Sequence, residues 1–164
     1  MSARWRRAAA DDAKALRDVE REANLVALAH LFPPDQHAFP DAEVLARWRA
    51  TLAETGVVVD LAEGPEGAVA FAAYDADTLR HLAVVPSRWG AGLGRDGVER
   101  AVSAIAAGGA KAAYLWVLDA NEGARGLYRH LGWAESEEAR AAEWPPYPRE
   151  HRWVLRLTPA PKPV

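Results

Sequence analysis

The chain has no cysteine, so disulfides, a thiol nucleophile and thiolate metal ligands are all excluded. That absence leaves the redox compartment open. It also has no apolar run near the ~20 residues of a membrane span. The opening Ser2-Ala3-Arg4-Trp5-Arg6-Arg7 is not followed by the apolar stretch of a secretion signal, so a cytoplasmic protein is expected. Nor is there a basic excess. With 20 Lys and Arg against 23 Asp and Glu, the formal charge of −3 argues against nucleic acid or a membrane surface as partner. No internal repeat or linker is visible. What remains is a globular composition, 50% hydrophobic and 26% charged, in 164 residues. One domain over residues 1–158 is expected, with a flexible, proline-alternating tail over 159–164.

Read in order, Arg4 to Ala8 predicts a short first strand. Asp11 or Asp12 caps a helix whose apolar face carries Leu16, Val19, Ala23 and Val26, with Arg17, Glu20 and Arg21 on its polar side. Prolines keep the aromatic stretch Leu31–Pro40 out of regular helix. Asp41 restarts a helix with Val44, Leu45, Trp48 and Leu52 on one side and Gly56 at its close. Val57–Ala62, Ala68–Tyr74 and Leu79–Val85 are separated by turn residues and predict an antiparallel meander. Leu93, Val98, Ala101, Val102 and Ile105 form a helical stripe that Gly108-Gly109 ends. Ala112 to Leu118 is apolar on both parities, which predicts a strand covered on both faces. A helix capped by Asn121 presents Ala124, Leu127, Tyr128 and Leu131 inward, and strands starting at Trp133 and spanning Arg152–Leu157 finish the chain.

Two runs carry chemistry. The first is Val85-Pro86-Ser87-Arg88-Trp89-Gly90-Ala91-Gly92-Leu93-Gly94-Arg95, where a strand ends, crosses a glycine-rich turn and opens into a helix. Bare backbone N–H groups there, at the positive end of a helix, make an anion cradle suited to phosphate or pyrophosphate. Gly92-Leu93-Gly94-Arg95-Asp96-Gly97 also spells the dinucleotide fingerprint, with Asp119 where a ribose-binding acid would be sought. That fingerprint sits tight against an early strand, whereas here residues 86–91 intervene and too little chain follows for a doubly wound sheet. No Lys-Ser/Thr follows the glycines, so a nucleoside-triphosphate P-loop is excluded. The second run is Asn121-Glu122-Gly123-Ala124-Arg125-Gly126-Leu127-Tyr128-Arg129-His130-Leu131-Gly132-Trp133.

Together these runs resemble the GCN5-related N-acetyltransferase family over about Thr78 to Trp133. The first is similar to its acyl-CoA loop, Gln/Arg-x-x-Gly-x-Gly/Ala, filled by Trp89, Gly92 and Gly94; Trp89 departs from the usual first residue. The second is similar to its Asn-x-x-Ala-x-x-x-Tyr-x-x-x-Gly-Phe segment, with Trp133 for the phenylalanine. The element order agrees as well. The resemblance implies an α/β (α+β) fold with a mixed, mostly antiparallel sheet of about seven strands and helices on both faces. It implies a splay between the fourth and fifth strands, and acetyl-CoA as co-substrate with no metal. Backbone groups of Trp89, Gly90, Ala91, Gly92, Leu93, Gly94 and Arg95 would hold the pyrophosphate. Leu82, Ala83 and Val84 would bond the pantetheine arm, and Asn121 would contact it from the other side.

Tyr128 is the implied proton donor to the departing thiolate. A phenol, with a reference pKa of ~10 against ~8.5 for a thiol, stays protonated at neutral pH. A strand-four amide, such as that of Val84, would meet the oxyanion. Many family members place a basic glutamate on strand four or five; this chain has Thr78, Arg80, His81 and Trp116 there. His81, Glu22, His30, His37, Asp119 and a water chain all stay open as the base. The acceptor pocket is expected between the Phe32–Phe39 and Trp144–Pro148 loops, lined by Phe32, His37, Phe39, Trp144 and Tyr147. With no cluster of acids to draw a polycation, a modest apolar amine or a peptide N-terminus fits. Attack would be direct, in a ternary complex. A non-catalytic acyl-CoA-binding module is the alternative, and monomer and homodimer both stay open.

Overall fold

The computed structural model describes residues 2–158 and 163; most of the tail expected to be flexible lies outside them. Seven strands and four α-helices follow in the order β1 (Arg4–Arg7), α1 (Ala13–Ala27), α2 (Asp41–Ala53), β2 (Val58–Gly64), β3 (Gly67–Tyr74), β4 (Leu79–Val84), α3 (Leu93–Ala107), β5 (Ala112–Leu118), α4 (Glu122–His130), β6 (Ala134–Ala141) and β7 (Arg149–Arg156). The strands form two antiparallel sheets, β1-β2-β3-β4 and β5-β7-β6. Among the described residues a single parallel bridge joins them, Thr78 with Tyr114. The strand order, the meander and the splay agree with the expectation.

The alternation of strand residues decides which helix each face receives. Val59, Leu61, Phe71 and Ala83 bury against Leu16, Val19 and Ala23 of α1 and Val44 and Trp48 of α2. The opposite face, with Ala72, Tyr74 and Leu79, packs against Val98, Ala101 and Ile105 of α3 and reaches Tyr128 of α4. Trp48 is fully enclosed and meets Phe71 edge-on at 4.8 Å between ring centroids. Burying such side chains stabilises by about 1.5–3 kcal/mol each. Val26 departs from the expected stripe: it is 56% exposed in the last turn of α1, and Leu28 just beyond takes a buried place.

Helix α3 is held close to the sheet by two devices. A Cβ on Gly97 would come within 2.6 Å of Leu82 Cδ1, so glycine lets the helix approach β4 without displacing that side chain. Buried Asp60 on β2 accepts from Tyr74 Oη at 2.8 Å, Arg7 Nε at 3.2 Å and Arg100 Nε at 3.3 Å, which ties β1, β3 and α3 to one carboxylate. Burial, followed by this bond to Asp60, pushes the Tyr74 phenol up to about 12.

β5 is not covered equally on its two faces. Ala113, Leu115 and Val117 are buried, whereas Tyr114, Trp116 and Leu118 are half-buried. Arg152 lies over the Tyr114 ring and Arg140 over the Trp116 ring, each at 3.9 Å. Guanidinium groups from β6 and β7 therefore stand where a helix was expected. No helix among the described residues is long and apolar enough to cross a membrane.

Candidate active site

The splay leaves the end of β4 with an open edge, and its register says which groups are free. Ala70 lies opposite Val84, and the Val85 amide donates to the Val69 carbonyl at 2.9 Å, so Ala70 and Val84 form a non-hydrogen-bonded pair. Alternation then turns the backbone groups of His81 and Ala83 toward β3 and those of Leu82 and Val84 toward the gap beside β5. One of these four groups is taken: Trp89 Nε1 donates to the Val84 carbonyl at 2.7 Å. The Leu82 amide, the Leu82 carbonyl and the Val84 amide remain. An extended ligand could continue the sheet there.

The glycine run follows at the end of this edge. Gly90 and Gly92 have φ of +77° and +88°, a conformation that L side chains rarely adopt, and they turn the chain into α3. The first helical bond runs from the Asp96 amide to the Gly92 carbonyl at 2.9 Å. The amides of Leu93, Gly94 and Arg95 therefore have no helical acceptor, at the positive end of α3 just beyond the exposed turn Gly90-Ala91-Gly92. Gly97, the last glycine of the dinucleotide-like string, serves packing against Leu82 instead of the turn.

Between the sheets, behind α1 and α2, lies a cavity of about 870 Å³. Leu82, Ala83, Leu115 to Leu118, Asn121 and Tyr128 form its β4–β5 side, and Phe32, His37, Phe39 and Trp144 its far side. Tyr128 is buried, with its ring edge-on to Trp133 at 6.0 Å, and its hydroxyl has no hydrogen-bond partner among the described residues. Burial alone raises its pKa well above the usual phenol value, so it keeps its proton throughout the neutral range. Asn121 Oδ1 accepts the Ala124 amide at 3.2 Å as a helix cap, while its amide nitrogen has no protein partner among the described residues.

His81 also faces this cavity. Its ring meets Trp48 edge-on at 5.5 Å, and burial, with Arg47 and Arg80 nearby, pushes it down to about 3. It is a neutral imidazole at physiological pH and a weak base.

A family model described as "Acetyltransferase (GNAT) family" matches residues 5–133. The chain belongs to this acetyltransferase family. The fold is shared with solved structures at low identity. A GCN5-related N-acetyltransferase from Rhodopseudomonas palustris superposes with a TM-score of 0.81 at 17% identity, covering 96% of this chain and 97% of that one. The PaiA N-acetyltransferase from Thermoplasma acidophilum, solved with coenzyme A, gives 0.74 at 14% identity, with coverages of 96% and 100%. YncA from Salmonella typhimurium, solved with acetyl-CoA, gives 0.70 at 17%, with coverages of 100% and 99%. No curated protein matches the chain.

Within this acetyltransferase fold, the expected residues separate. Leu82, Ala83, Asn121, Tyr128, Phe32, His37, Phe39 and Trp144 all line the cavity. The backbone of Ala83 is spent on Phe71, so the expected three-residue contact with an extended arm narrows to Leu82 and Val84. Tyr147 was expected in the pocket and is not on its wall. Its φ of 57° turns it outward, and it is 57% exposed. Of the expected bases only His81 and His37 reach the wall. Glu22 is exposed on α1, His30 Nε2 meets the Ala120 carbonyl at 2.9 Å, and Asp119 pairs with His151 at 2.5 Å on the α4 side.

Charged residues outside the expected set also meet at the wall. Glu20 Oε2 accepts from Arg47 Nη2 at 2.5 Å and Trp48 Nε1 at 2.7 Å. Glu20 follows Leu16 by four positions and precedes Ala23 by three, so the edge of the apolar stripe was its available signal. Arg140 pairs with Glu150 at 2.6 Å, and Arg80 with Asp75 at 2.7 Å and Glu54 at 3.0 Å. Glu143 has no ion pair among the described residues. No group of three or more His, Asp or Glu side chains among the described residues could hold a metal.

Proposed function

We propose that the protein is an N-acetyltransferase that moves the acetyl group of acetyl-CoA to a primary amine by direct attack in a ternary complex. The observation that carries this reading is the Tyr128 hydroxyl, protonated, without a partner among the described residues, and on a cavity wall shared with the open edge of β4. Acetyl-CoA fits the groups available. Its pyrophosphate suits the amides around Gly90 to Arg95, and its pantetheine amides suit the free groups of Leu82 and Val84. When bound, it supplies the activated acetyl group. This chain contributes anion binding at the loop, alignment along β4, orientation from the Asn121 amide nitrogen, and a proton held on Tyr128 Oη for the departing sulfur. Without cysteine, no thiol of the chain can carry the acetyl group between donor and acceptor.

The acceptor follows from the charges on the cavity wall. Arg47, Arg80 and Arg140 each have a carboxylate partner, Glu20 and Glu150 each have an arginine, and Glu143 has no ion pair among the described residues. One uncompensated negative charge at the rim of a wall that also carries Phe32, Phe39 and Trp144 suits a monocationic amine with an apolar body, or a peptide N-terminus. It leaves no unpaired arginine for a carboxylate-bearing acceptor. Because His81 holds protons weakly, deprotonation of the incoming ammonium falls to His37 or to water in the cavity.

The lack of a carboxylate on β4 and β5 favours the second reading, a non-catalytic acyl-CoA-binding module. Calorimetry with acetyl-CoA, free CoA and NAD, followed by thiol release with an amine panel, separates the readings. We expect micromolar binding of both thioester and CoA, none of NAD, and turnover favouring aryl-alkyl monoamines over polyamines and free amino acids. Preference for NAD removes the assignment. CoA binding without turnover leaves the binding module.

A further inference from the structure

We propose that the Trp89 indole is a positioning residue that sets where along β4 the acyl-CoA arm can pair. The proposal rests on the acetyl-CoA reading above and concerns the position at which the loop departs from its family pattern. Trp89 is 49% exposed, which is unusual for the largest apolar side chain, yet its one polar atom is engaged at 2.7 Å by the Val84 carbonyl. That carbonyl belongs to the four backbone groups that face the gap beside β5, and it lies nearest the glycine loop.

An extended arm pairing with a strand edge has several possible registers, differing in which donors and acceptors meet. With one lone pair of the Val84 carbonyl taken by the indole N–H and the ring beside it, registers that use this oxygen are disfavoured. An arm anchored at the pyrophosphate cradle then pairs best with the Val84 amide and the Leu82 carbonyl and amide. One register sets how far the thioester reaches along the groove toward Tyr128. The indole thus weakens a competing acceptor, and a glutamine or arginine at this position would place its donors on a longer, freely rotating stem.

Trp89→Phe keeps a ring in the loop, deletes the N–H and frees the Val84 carbonyl. Steady-state kinetics should be run with acetyl-CoA and with S-acetylpantetheine, which has the arm but no nucleotide. Loss of one hydrogen bond that selects a register predicts a kcat lower by about fivefold with both donors, while KM for either changes by less than about twofold. Unchanged kcat in the variant overturns the proposal. So does a rise in KM confined to acetyl-CoA, which would make the indole part of the nucleotide site. Because the side chain is half exposed, folding is not at stake, and matching thermal melts of the two proteins would establish that. Failure of the acetyl-CoA reading itself is a different result: the unaltered protein would then not bind the thioester in calorimetry.

Discussion

The two ends of the groove are built from different materials. At the β4–α3 end, the groups left free are backbone amides and carbonyls, from Leu82 and Val84 through the turn at Gly90 and Gly92. At the α1–α2 end, the groups are side chains contributed singly by distant segments: Glu20, Phe32, Phe39, Glu143 and Trp144. A backbone site constrains sequence through conformation, because positive φ demands glycine and pairing demands register. A side-chain site constrains it only through which residues the tertiary fold brings together. In the proposed reading, the first end takes the acyl donor and the second selects the acceptor.

The sharpest way to break this comparison is at the hinge between the two ends. Tyr128→Phe deletes a hydroxyl that bonds to no described residue, so the fold should keep its stability. Removing a positioned proton donor should lower kcat by about 10²-fold or more. Equal thermal melts with collapsed turnover would assign the hydroxyl to chemistry. Unchanged turnover would make Tyr128 a packing residue and remove the proton-donor role.

The backbone end can be sharpened by Gly92→Val. There is open space around the Cβ position, so no steric clash confuses the result, but φ of +88° is strained for a branched residue. Strain of about 1–3 kcal/mol predicts a turn that relaxes and a CoA affinity lower by roughly tenfold or more, measured by calorimetry. Amine KM should hardly move. An intact CoA affinity in the folded variant would mean that the anion binds elsewhere.

The same division explains what could be read before the fold was known. The glycine turn, the Asn121 cap and the Asn121-to-Tyr128 spacing are local, and each appears where the sequence pattern placed it. The acceptor wall is not local. Glu20 lies on the margin of an apolar stripe, where helical periodicity assigns it to solvent, and only Trp48 and Arg47 from α2 reveal its place. Tyr147 has an aromatic composition that suggests a pocket, but the backbone at that residue turns it away. Apolar residues on both parities of β5 suggested two buried faces, because a guanidinium stacked on Tyr114 or Trp116 leaves no trace in the strand's own sequence. Ala83 looked equivalent to its neighbours until pairing with Phe71 fixed its register.

The smallest effect tests the side-chain end without using activity at all. His81 is held down at about 3 in the folded protein, against 6.5 for an ordinary imidazole, chiefly because burial disfavours the cation. Above pH 6.5 the ring is neutral in both folded and unfolded chains and contributes no pH dependence. Below 6.5 the unfolded chain takes up a proton that the folded one refuses until about pH 3. His81 therefore costs stability progressively as the pH falls through that window, by up to about 1.4 kcal/mol for each pH unit. His81→Phe keeps an aromatic edge against Trp48 and cannot titrate. Urea denaturation between pH 7 and 4.5 should show a shallower acid loss for the variant, with the difference opening below about 6.5. Parallel curves would mean that the cavity hydrates the ring and lets it charge. In that case the imidazole, and not water alone, would be available to take the proton from the incoming amine, and the side-chain end would hold a base that its sequence had offered only as one candidate among several.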